Sequence, residues 1–481
     1  MSNKIKLYNI DDAEKFSMAQ VQDLYKSYIN SSQVELISSF GFGNDLVEKS
    51  EGLYIYTKNG KKILDFTGGV GVLNHGHNHQ KILDARKKFS LKKKMEVHKN
   101  YFSPYLAALS FNMASFLPHK LKISYFGNSG AEAVEGALKI SHKYFEGKRD
   151  VVLSSNISFH GKSIAASNIT NSIETSYYDF QKTLKTDQFI YNDIESVKEK
   201  IDQYKINNKS RIYAIIIEPF SASTLRSCSE NFLRKLRNIC DKENIILIFD
   251  EIYSGWCKTG KTFYFLNFQQ LSPDILTSSK SLGGGKSSIS CYTCTEKIFN
   301  KSYNNLKDAT LHSTTYNAFG EETITAIEAL NIIVDEKFEE KSLKAGTLIN
   351  NHLIKIKAKY PKIIQESRGT GCLQGIVINT SKFDEYLKPV IKLIPISFLS
   401  DDQAIKKIIV SSIIFHLYND FNILTYYGSN KDIPLKISPS VIVNDSQIDY
   451  FFESLDSTLD LGLFKLVKNF VSNKFFRKFK L

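Results

Sequence analysis

The segment from Ile245 to Gly285 decides the fold of this chain. It opens with an apolar run that ends in two acids, Ile245-Ile246-Leu247-Ile248-Phe249-Asp250-Glu251. It closes with a second run that leads into a lysine and three glycines, Pro273-Asp274-Ile275-Leu276-Thr277-Ser278-Ser279-Lys280-Ser281-Leu282-Gly283-Gly284-Gly285. Short apolar runs bounded in this way are typical of buried strands. The segment therefore predicts two buried strands with Asp250 and Lys280 at or just past their carboxyl ends.

The same alternation of short apolar runs and helical patterns extends from about residue 75 to about residue 325. The candidate strands are 122–126, 151–154, 212–217, 245–249, 274–277 and 288–293, and the candidate helices include 131–146 and 230–242. This alternation predicts an α/β fold with a mostly parallel, doubly wound sheet. Ligands bind such sheets beyond the carboxyl ends of the strands, where Asp250 and Lys280 fall.

A second, smaller α+β domain is expected after residue 325. The pattern changes there to a long helix (321–341), more helix, and short strands near 371–378 and 434–437. The N-terminal region predicts a helix or arm over 10–30 and a hairpin around Asn59-Gly60. We therefore divide the chain into an N-terminal arm with part of the small domain (1–75), a large domain (76–325), a small domain (326–460) and a tail (461–481).

The composition excludes several classes of protein. The 481 residues carry a net charge of 63 − 50 = +13, but no arginine-rich patch is interleaved with aromatic residues, so we expect no nucleic-acid partner. No apolar run approaches the ~18 residues of a membrane span, and the N-terminus has no apolar signal core. Cys291 and Cys294 form a single C-x-x-C pair, which fits a buried strand better than a metal site. We expect no metal and a reduced, cytoplasmic setting.

Asp250 and Lys280 together have the chemistry that pyridoxal 5′-phosphate (PLP) requires. A lysine amine forms a Schiff base with the cofactor's aldehyde. A carboxylate keeps the pyridine nitrogen protonated, which makes the ring an electron sink. The structural alternatives are a helix N-cap for Asp250 and a surface lysine for Lys280. A Ser-Lys-Ser sequence before three glycines is a poor place for a solvated side chain.

Four further motifs have a chemical interpretation, and two of them also have a structural one. Ser129-Gly130-Ala131 precedes a helix and would bind phosphate through backbone N–H groups, or form an ordinary turn. Phe159-His160 would stack on a flat ring, or pack in the core. Glu218 ends an apolar run and must meet a cation or a ligand. The hydroxyl-rich stretch from His312 to Asn317 would complete a phosphate cup.

In this order, these motifs resemble the class III aminotransferases, which are PLP enzymes of fold type I. The resemblance covers roughly residues 50–460 and includes Leu64-Asp65-Phe66-Thr67-Gly68-Gly69-Val70-Gly71, His75-Gly76-His77 and Arg368-Gly369-Thr370-Gly371. It implies that residues 76–325 bind PLP. It also implies transfer of an amino group between a primary amine or (ω-)amino acid and a 2-oxo acid or aldehyde, by a ping-pong mechanism.

The resemblance further implies a role for each matching residue. Lys280 would form the internal aldimine and move protons, and Asp250 would pair with the pyridine nitrogen. Phe159 and Ile252 would cover the two faces of the ring. The other matches would contact cofactor or substrate: Ser129, Gly130 and Ala131 at the phosphate, Thr315 reaching the phosphate from a partner subunit, His160 beside Phe159, and Glu132 and Glu218 near cofactor or substrate. The family thus implies a homodimer with shared active sites.

Three positions depart from the family pattern. In Leu435-Lys436-Ile437-Ser438-Pro439-Ser440 a lysine stands where the family usually has the arginine that binds the α-carboxylate. Lys436 would supply a point charge instead of a bidentate fork, and would pair with Glu218 when no carboxylate is bound. Tyr253 replaces a frequent glutamine, and Lys258 replaces the usual arginine before Thr-Gly.

Alternatives to transamination remain open at the level of the sequence. An aminomutase or epimerase of the same family would use the same cofactor. A non-catalytic binding protein is disfavoured because Lys280 and Asp250 are retained. The sequence does not name the amine donor or the oxo acceptor.

The C-terminal residues 462–481 carry six basic side chains and no acid. Phe464, Val467, Val471 and Phe475 recur at helical spacing and predict an amphipathic basic helix. Packing of this helix on the small domain is the favoured interpretation. The alternative is docking to an acidic carrier protein or to an anionic membrane surface.

Overall fold

A computed structural model of the chain describes residues 5, 7–171, 183–317, 319–380 and 403–478, with side chains up to residue 472. In chain order its strands are β1 (Val47–Glu51), β2 (Tyr54–Thr57), β3 (Lys62–Asp65), β4 (Leu121–Gly127), β5 (Val151–Ser155), β6 (Lys185–Phe189), β7 (Lys205–Ile206), β8 (Lys209–Ser210), β9 (Ile212–Ile217), β10 (Phe220–Ser221), β11 (Arg226–Ser227), β12 (Ile246–Asp250), β13 (Ile275–Ser278), β14 (Ser290–Thr295), β15 (Ile364–Thr370), β16 (Leu373–Ile378), β17 (Ile423–Leu424), β18 (Tyr426–Tyr427) and β19 (Leu435–Ile437).

The α-helices span Ile10–Glu14, Met18–Tyr25, Ser31–Ser39, Gly68–Gly71, Gln80–Leu91, Pro104–Ser115, Gly130–Tyr144, Ile164–Asn168, Ile194–Gln203, Glu230–Glu243, Glu296–Ser302, Gly320–Asp335, Phe338–Lys359, Ala404–Phe421, Asp445–Asp460 and Leu463–Lys478. Short stretches of 3-10 or π-helix cover Lys26–Asn30, Phe42–Asn44, Tyr264–Asn267 and Lys280–Gly283. No helix in the described ranges is both long and apolar enough to cross a lipid bilayer.

A seven-stranded sheet forms the centre of the molecule, in the order β4-β14-β13-β12-β9-β5-β6. Only β14 runs opposite to its neighbours, β4 and β13, whereas the other neighbouring strands are parallel. The predicted α/β fold with a mostly parallel sheet is confirmed, and each of the six candidate strands corresponds to a strand of this sheet. Edge strand β6 was not predicted, because its residues, Lys185–Phe189, are mainly polar.

Helices cover both faces of this sheet, as a doubly wound fold requires. Along β12, Leu247 and Phe249 pack in the same cluster as Leu233 and Leu236 of helix Glu230–Glu243. The alternate residues Ile246 and Ile248 pack instead with residues of helix Gly130–Tyr144. Successive strand residues point to opposite faces, so a wholly apolar strand contributes to two cores at once.

Two four-stranded sheets lie outside the central one. In the first, β1-β2-β3-β17, the predicted hairpin is present and Leu64 of β3 pairs in parallel with Ile423 of β17. In the second, β15-β16-β19-β18, Lys436 of β19 lies opposite Gly375 and Tyr426. The expected strands near 371–378 and 434–437 are therefore β16 and β19.

The predicted helix over 321–341 is wrong. Two helices, Gly320–Asp335 and Phe338–Lys359, occupy this region, and Lys337 between them has a left-handed backbone with φ of 53°. A left-handed residue cannot continue a right-handed helix. The chain turns here so that Phe338 is buried in the main core.

The N-terminal arm is a series of short helical pieces rather than one helix. Ile10–Glu14 and Met18–Tyr25 each begin with a capping box, formed by Asn9 and by Ser17. Within the helical pieces up to Ser39, Val34 is the one buried residue. A capping box satisfies helix N–H groups locally, so these short helices form without a buried face.

The tail forms the expected helix, and the predicted apolar stripe is buried only in part. Val467 is buried and Val471 is half-buried, whereas Phe464 is 67% exposed and the side chain of Phe475 lies outside the described residues. Leu463, Leu466 and Phe470 are buried together with Val467. Phe470 packs against Phe415 of helix Ala404–Phe421, with ring centres 5.6 Å apart. The sequence contains two overlapping apolar stripes, and docking on this helix selects the one through Leu463.

Candidate active site

The register of the central sheet brings three distant residues to one edge. Ile217 of β9 lies opposite Phe249 of β12, and Asp250 lies opposite Thr277 of β13. Asp250 is the last residue of β12, Glu218 follows directly after β9, and Lys280 lies two residues after β13. Their side chains therefore meet at the carboxyl edge of the sheet, where α/β proteins bind ligands.

Lys280 combines a strained backbone with a partly buried amine. Its φ of 48° lies in the left-handed region, which costs a non-glycine residue about 1 kcal/mol or more and occurs preferentially at functional sites. Nζ donates to the carbonyl of Val70 at 3.0 Å and lies 4.3 Å from the centre of the Tyr253 ring. Burial lowers the pKa of Lys280 to about 8, although Asp250 and Glu218 act to raise it. Near neutral pH part of the amine is therefore unprotonated and nucleophilic.

The loop from Thr67 to Gly71 supports this lysine. Four consecutive residues, Gly68 to Gly71, have positive φ, including Val70 at 58°. Asp65 Oδ1 fixes the loop by accepting the N–H groups of Thr67 and Gly68 at 2.7 and 3.2 Å. A side chain on Gly71 would lie 2.8 Å from the Tyr253 ring, so only glycine leaves room for that ring.

Asp250 is held by two hydrogen bonds in a buried position. Oδ2 lies 2.7 Å from Nδ1 of His160, and Oδ1 accepts the N–H of Ile252 at 3.0 Å. His160 is itself fixed by its backbone N–H, which donates to Thr170 Oγ1 at 2.9 Å. The structure thus places His160 on the carboxylate, where it orients Asp250. A carboxylate held in this way suits a protonated ring nitrogen.

The start of helix Gly130–Tyr144 consists of small residues that could hold an anion, and it is called the anion site below. Glu132 Oε2 accepts the N–H groups of Asn128 and Ser129 at 2.6 and 3.1 Å, in a capping box with Ser129. This box leaves the N–H groups of Gly130 and Ala131 for an anion. Glu132, predicted near the cofactor or substrate, is therefore a helix cap.

Close packing explains the small residues at this helix start. A side chain on Gly130 would lie 3.0 Å from Cδ1 of Ile252, and one on Gly161 would lie 2.9 Å from Cβ of Ala131. Ile252 therefore packs directly on the anion site, next to Asp250 in the chain.

Glu218 is buried and bound to backbone groups. Oε2 accepts the N–H of Phe159 at 3.0 Å, and Oε1 accepts the N–H of Ala222 at 3.3 Å. Burial raises its pKa to about 7, and the Asp250 carboxylate adds to this. Among the described residues no ion pair joins Glu218 to Lys436, so the expected resting pair does not form. Glu218 instead fixes Phe159, whose side chain is half-buried.

Thr315 is exposed in the loop that follows helix Glu296–Ser302. The neighbouring Tyr316 carbonyl accepts Nδ2 of Asn128 at 3.3 Å. His312 lies 4.4 Å from the Tyr125 ring, measured between ring centres. The loop thus lies beside the anion site and presents Thr315 outward.

Lys436 enters the same space from the second four-stranded sheet. Its side chain is buried, and Nζ lies 5.2 Å from the ring centre of Tyr253 and 5.0 Å from that of Tyr426. Burial lowers the pKa of Lys436 to about 7, with contributions from the amines of Lys280 and Lys258.

Sequence reasoning assigned no role to Tyr253, Tyr426 and Lys258. The hydroxyls of Tyr253 and Tyr426 are hydrogen-bonded to each other. Lys258 is fully buried and donates to the carbonyls of Ser438 and Pro439 at 3.1 and 2.6 Å, which fixes the segment after β19. Tyr253 and Lys258 were visible as departures from the family pattern, whereas the two-residue strand of Tyr426 carries no motif.

These residues fit PLP, which has a phosphate, an aldehyde and a basic ring nitrogen. Gly130 and Ala131 offer N–H groups to the phosphate. Lys280 offers an amine to the aldehyde, and Asp250 a carboxylate to the nitrogen. Nε2 of His160 is buried without a hydrogen-bond partner among the described residues, so this end of the site retains polar capacity for a ligand.

Comparison with known proteins agrees with this geometry. The family model described as "Aminotransferase class-III" matches residues 43–459. The acetylornithine aminotransferase of Prochlorococcus marinus is 33% identical over 351 residues, which cover 70% of this chain and 80% of that protein. The aminotransferase PigE of a Serratia species is 26% identical over 91% of this chain, which spans 53% of PigE.

Solved structures share the fold. The ornithine aminotransferase of Toxoplasma gondii has a TM-score of 0.77 at 19% identity, covering 94% of this chain and 98% of its own. The taurine:2-oxoglutarate aminotransferase of Bifidobacterium kashiwanohense, solved with PLP and glutamate, has a TM-score of 0.79 at 19% identity, covering 94% of this chain and 99% of its own. The family match, the first relative and the site together show that this chain belongs to the class III aminotransferases and is a PLP-dependent enzyme of fold type I.

Proposed function

We propose that the enzyme moves an amino group between a carboxylate-bearing primary amine or ω-amino acid and a 2-oxo acid or aldehyde, in a ping-pong cycle. One observation carries this proposal. Nζ of Lys280 and Nζ of Lys436 both lie over the ring of Tyr253, at 4.3 and 5.2 Å from its centre. A group for covalent chemistry and a group for binding an anion therefore share one space.

The residues of the chain divide the work as follows. Bound PLP supplies an electron sink for the substrate's carbon–hydrogen bond. The Val70 carbonyl positions Nζ of Lys280, which would hold the cofactor through its aldehyde and would move a proton to and from the substrate carbon. His160 orients the Asp250 carboxylate, which would keep the ring nitrogen protonated. The N–H groups of Gly130 and Ala131 would hold the phosphate.

Lys436 is proposed to bind the substrate carboxylate. Its ammonium form is compact and offers a point charge, in contrast to a guanidinium fork. Lys436→Ala should raise KM for the carboxylate-bearing partner and leave KM for amines without a carboxylate unchanged. Equal effects on both would show that Lys436 only supports the structure.

Half-reactions test the reaction type. Holoenzyme is mixed with one donor in the absence of an acceptor, and the cofactor spectrum and the released oxo product are measured. Transamination predicts one oxo product per site and a lasting change of the cofactor to its amine form. Products that retain their nitrogen, with the cofactor spectrum restored, would indicate an aminomutase or epimerase instead.

We propose that the enzyme is a homodimer with shared active sites. Large apolar side chains are exposed in this single chain, two of them in the loop that holds Thr315: Tyr101, Phe102, Phe111, Leu306 and Tyr316. Phe102 and Leu306 are fully exposed to solvent in this single chain. Apolar side chains exposed in this number support an interface between copies of the chain.

Mixed dimers of two inactive variants test whether Thr315 serves the partner's site. In a dimer of Lys280→Ala and Thr315→Ala chains, one site has both defects and the other has neither if Thr315 acts across the interface. Mixing and refolding equal amounts of the two variants should then restore about a quarter of the activity, because about half of the dimers are mixed and each of these has one intact site of its two. No restoration would show that Thr315 acts within its own chain.

The division of the chain into domains and its location in the cell are also proposals. All strands of the seven-stranded sheet lie within 76–325, which supports a PLP-binding domain there. The pairing of β3 with β17 supports a small domain built from parts of 1–75 and 326–460. Six buried cysteine thiols support a reducing, cytoplasmic location.

For the tail, we propose packing as the main role, because Leu466 and Phe470 are buried. Docking to an acidic carrier protein or an anionic membrane surface is the competing proposal. Deleting residues 470–481 separates the two. Lower thermal stability with unchanged vesicle binding, and unchanged turnover of free and carrier-bound substrate, would support packing alone.

A further inference from the structure

Lys436 is buried between two aromatic rings. Its Nζ lies over the faces of Tyr253 and Tyr426, at 5.2 and 5.0 Å from their ring centres. Among the described side chains, no carboxylate forms an ion pair with it. Burying an ammonium ion without a counterion costs more free energy than cation–π contacts with two aromatic rings provide. The free site therefore favours the neutral amine.

The groups around Lys436 reinforce this preference. Lys280 and Lys258 disfavour a further positive charge, and Glu218 is the one acid that favours it. The Glu218 carboxyl is already engaged by two backbone N–H groups, and its own pKa is raised to about 7 by burial. It compensates the charge of Lys436 only in part.

The two tyrosines provide no negative charge. Burial raises the pKa of Tyr253 to about 12 and that of Tyr426 well above its usual value, so both phenols are neutral. Asp65 contributes to both shifts, but its carboxylate is bound to Thr67, Gly68 and His77. A substrate carboxylate would thus give Lys436 a full counterion that the described side chains around it do not provide.

We propose that Lys436 takes up a proton when a substrate carboxylate binds, so that carboxylate recognition is coupled to protonation. This inference rests on the proposed carboxylate-binding role of Lys436. It gives the enzyme a pH-dependent specificity that an arginine, which is always protonated, cannot provide. Partners without a carboxylate do not need the proton.

The consequence for kinetics follows from linkage. If only the ammonium form binds the carboxylate, the apparent KM for carboxylate-bearing partners rises about tenfold for each pH unit above the pKa of Lys436. The pKa of about 7 places this rise on the alkaline side of neutrality. KM for an uncharged aldehyde of equal length should not show this rise with pH. A titrating group of the cofactor, in contrast, would change KM for both partners alike.

Calorimetry measures the proton directly. Holoenzyme is titrated with pentanoate, which has neither amine nor oxo group, in buffers of different ionisation enthalpy. Wild-type enzyme should take up about one proton at about pH 8.5 and a much smaller fraction at about pH 6, as expected for a group with its pKa between them. Pentanamide serves as the uncharged control.

Two variants make the result specific. Lys436→Arg should bind pentanoate without this uptake and with an affinity independent of pH, because the guanidinium is always charged. Lys436→Met should lose at least tenfold in pentanoate affinity while retaining the cofactor's visible spectrum, which reports an intact site.

The outcomes separate the two ideas. Pentanoate binding to wild type without proton uptake, or equal uptake in Lys436→Arg, would overturn the coupling and leave the carboxylate role standing. Equal pentanoate affinity of wild type and Lys436→Met would overturn the carboxylate role itself, and the coupling with it.

Discussion

Glu251 allows a quantitative test of the hydrogen bonds that hold the segment after β12 in place. Its side chain is fully buried next to Asp250 and fastens the loop after the central strand. Oε2 accepts the N–H of Tyr264 at 2.6 Å and the hydroxyl of Ser254 at 2.9 Å, and Oε1 accepts the N–H of Phe265 at 2.8 Å. Burial raises the pKa of Glu251 from 4.5 to about 7 in spite of these bonds.

The sign of the pH dependence follows from this direction. A carboxyl with a raised pKa binds more protons in the folded than in the unfolded chain between pH 4.5 and 7, so its stabilising contribution is lost as pH rises through that window. At about 1.4 kcal/mol per pH unit, the loss amounts to roughly 3 kcal/mol. Glu251→Gln removes this loss. The amide has one acceptor oxygen instead of two, however, and leaves a backbone N–H poorly satisfied, at a cost of about 1–3 kcal/mol.

Glu251→Gln should therefore be destabilising at about pH 5 and close to neutral at about pH 8, with roughly 3 kcal/mol between the two differences from wild type. Urea unfolding midpoints of both proteins at the two pH values measure this. The buried Glu218 titrates in both proteins, so its contribution cancels. An equal difference from wild type at both pH values would refute the argument.

Glu339 provides the matched control. It fastens the same segment by accepting the N–H of Thr262 at 2.8 Å, but hydrogen bonds and Lys261 lower its pKa despite partial burial. A lowered pKa confines the titration to acid pH. The difference between Glu339→Gln and wild type should therefore change little between about pH 5 and 8.

The remaining predictions concern the catalytic groups and the anion site. Lys280→Ala should abolish turnover and remove the absorbance band of covalently bound PLP, and normal turnover would show that another amine does the chemistry. Asp250→Asn should still bind PLP but lose orders of magnitude in kcat, because a neutral amide does not hold a protonated nitrogen; a near-normal kcat would contradict the assigned role. Gly161→Ala should weaken PLP binding and lower Tm, because the new side chain would lie 2.9 Å from Cβ of Ala131 at a φ of 134°. Gly147→Ala, which adds a side chain at positive φ with only a distant neighbour at 3.9 Å, is the control for strain without a clash.

The chemistry of the site could be predicted because it depends on local sequence. Asp250 and Lys280 stand directly after apolar strands, and the ends of parallel strands meet at one edge of the sheet. Ser129 to Ala131 could be recognised in the same way, since a helix start and its cap lie within a few residues. These features need only the order of strands and helices to be correct.

Other features depended on contacts between distant segments. No local signal distinguishes the two apolar stripes of the tail helix, and packing of Phe470 against Phe415 decides between them. The helical pattern over 321–341 gives no warning of the break at Lys337, because burial of Phe338 in the core sets the direction of the second helix.

The substrate side of the site shows the same division most clearly. The sequence by itself determined that Lys436 replaces an arginine, and therefore that any carboxylate here meets a point charge. Only the tertiary structure decided that this lysine is buried between Tyr253 and Tyr426, with two other lysines as neighbours and, among the described residues, no carboxylate in an ion pair with it. The sequence specifies which residue stands at a position. Its charge state also depends on how far folding removes it from water and on which charges folding brings close to it.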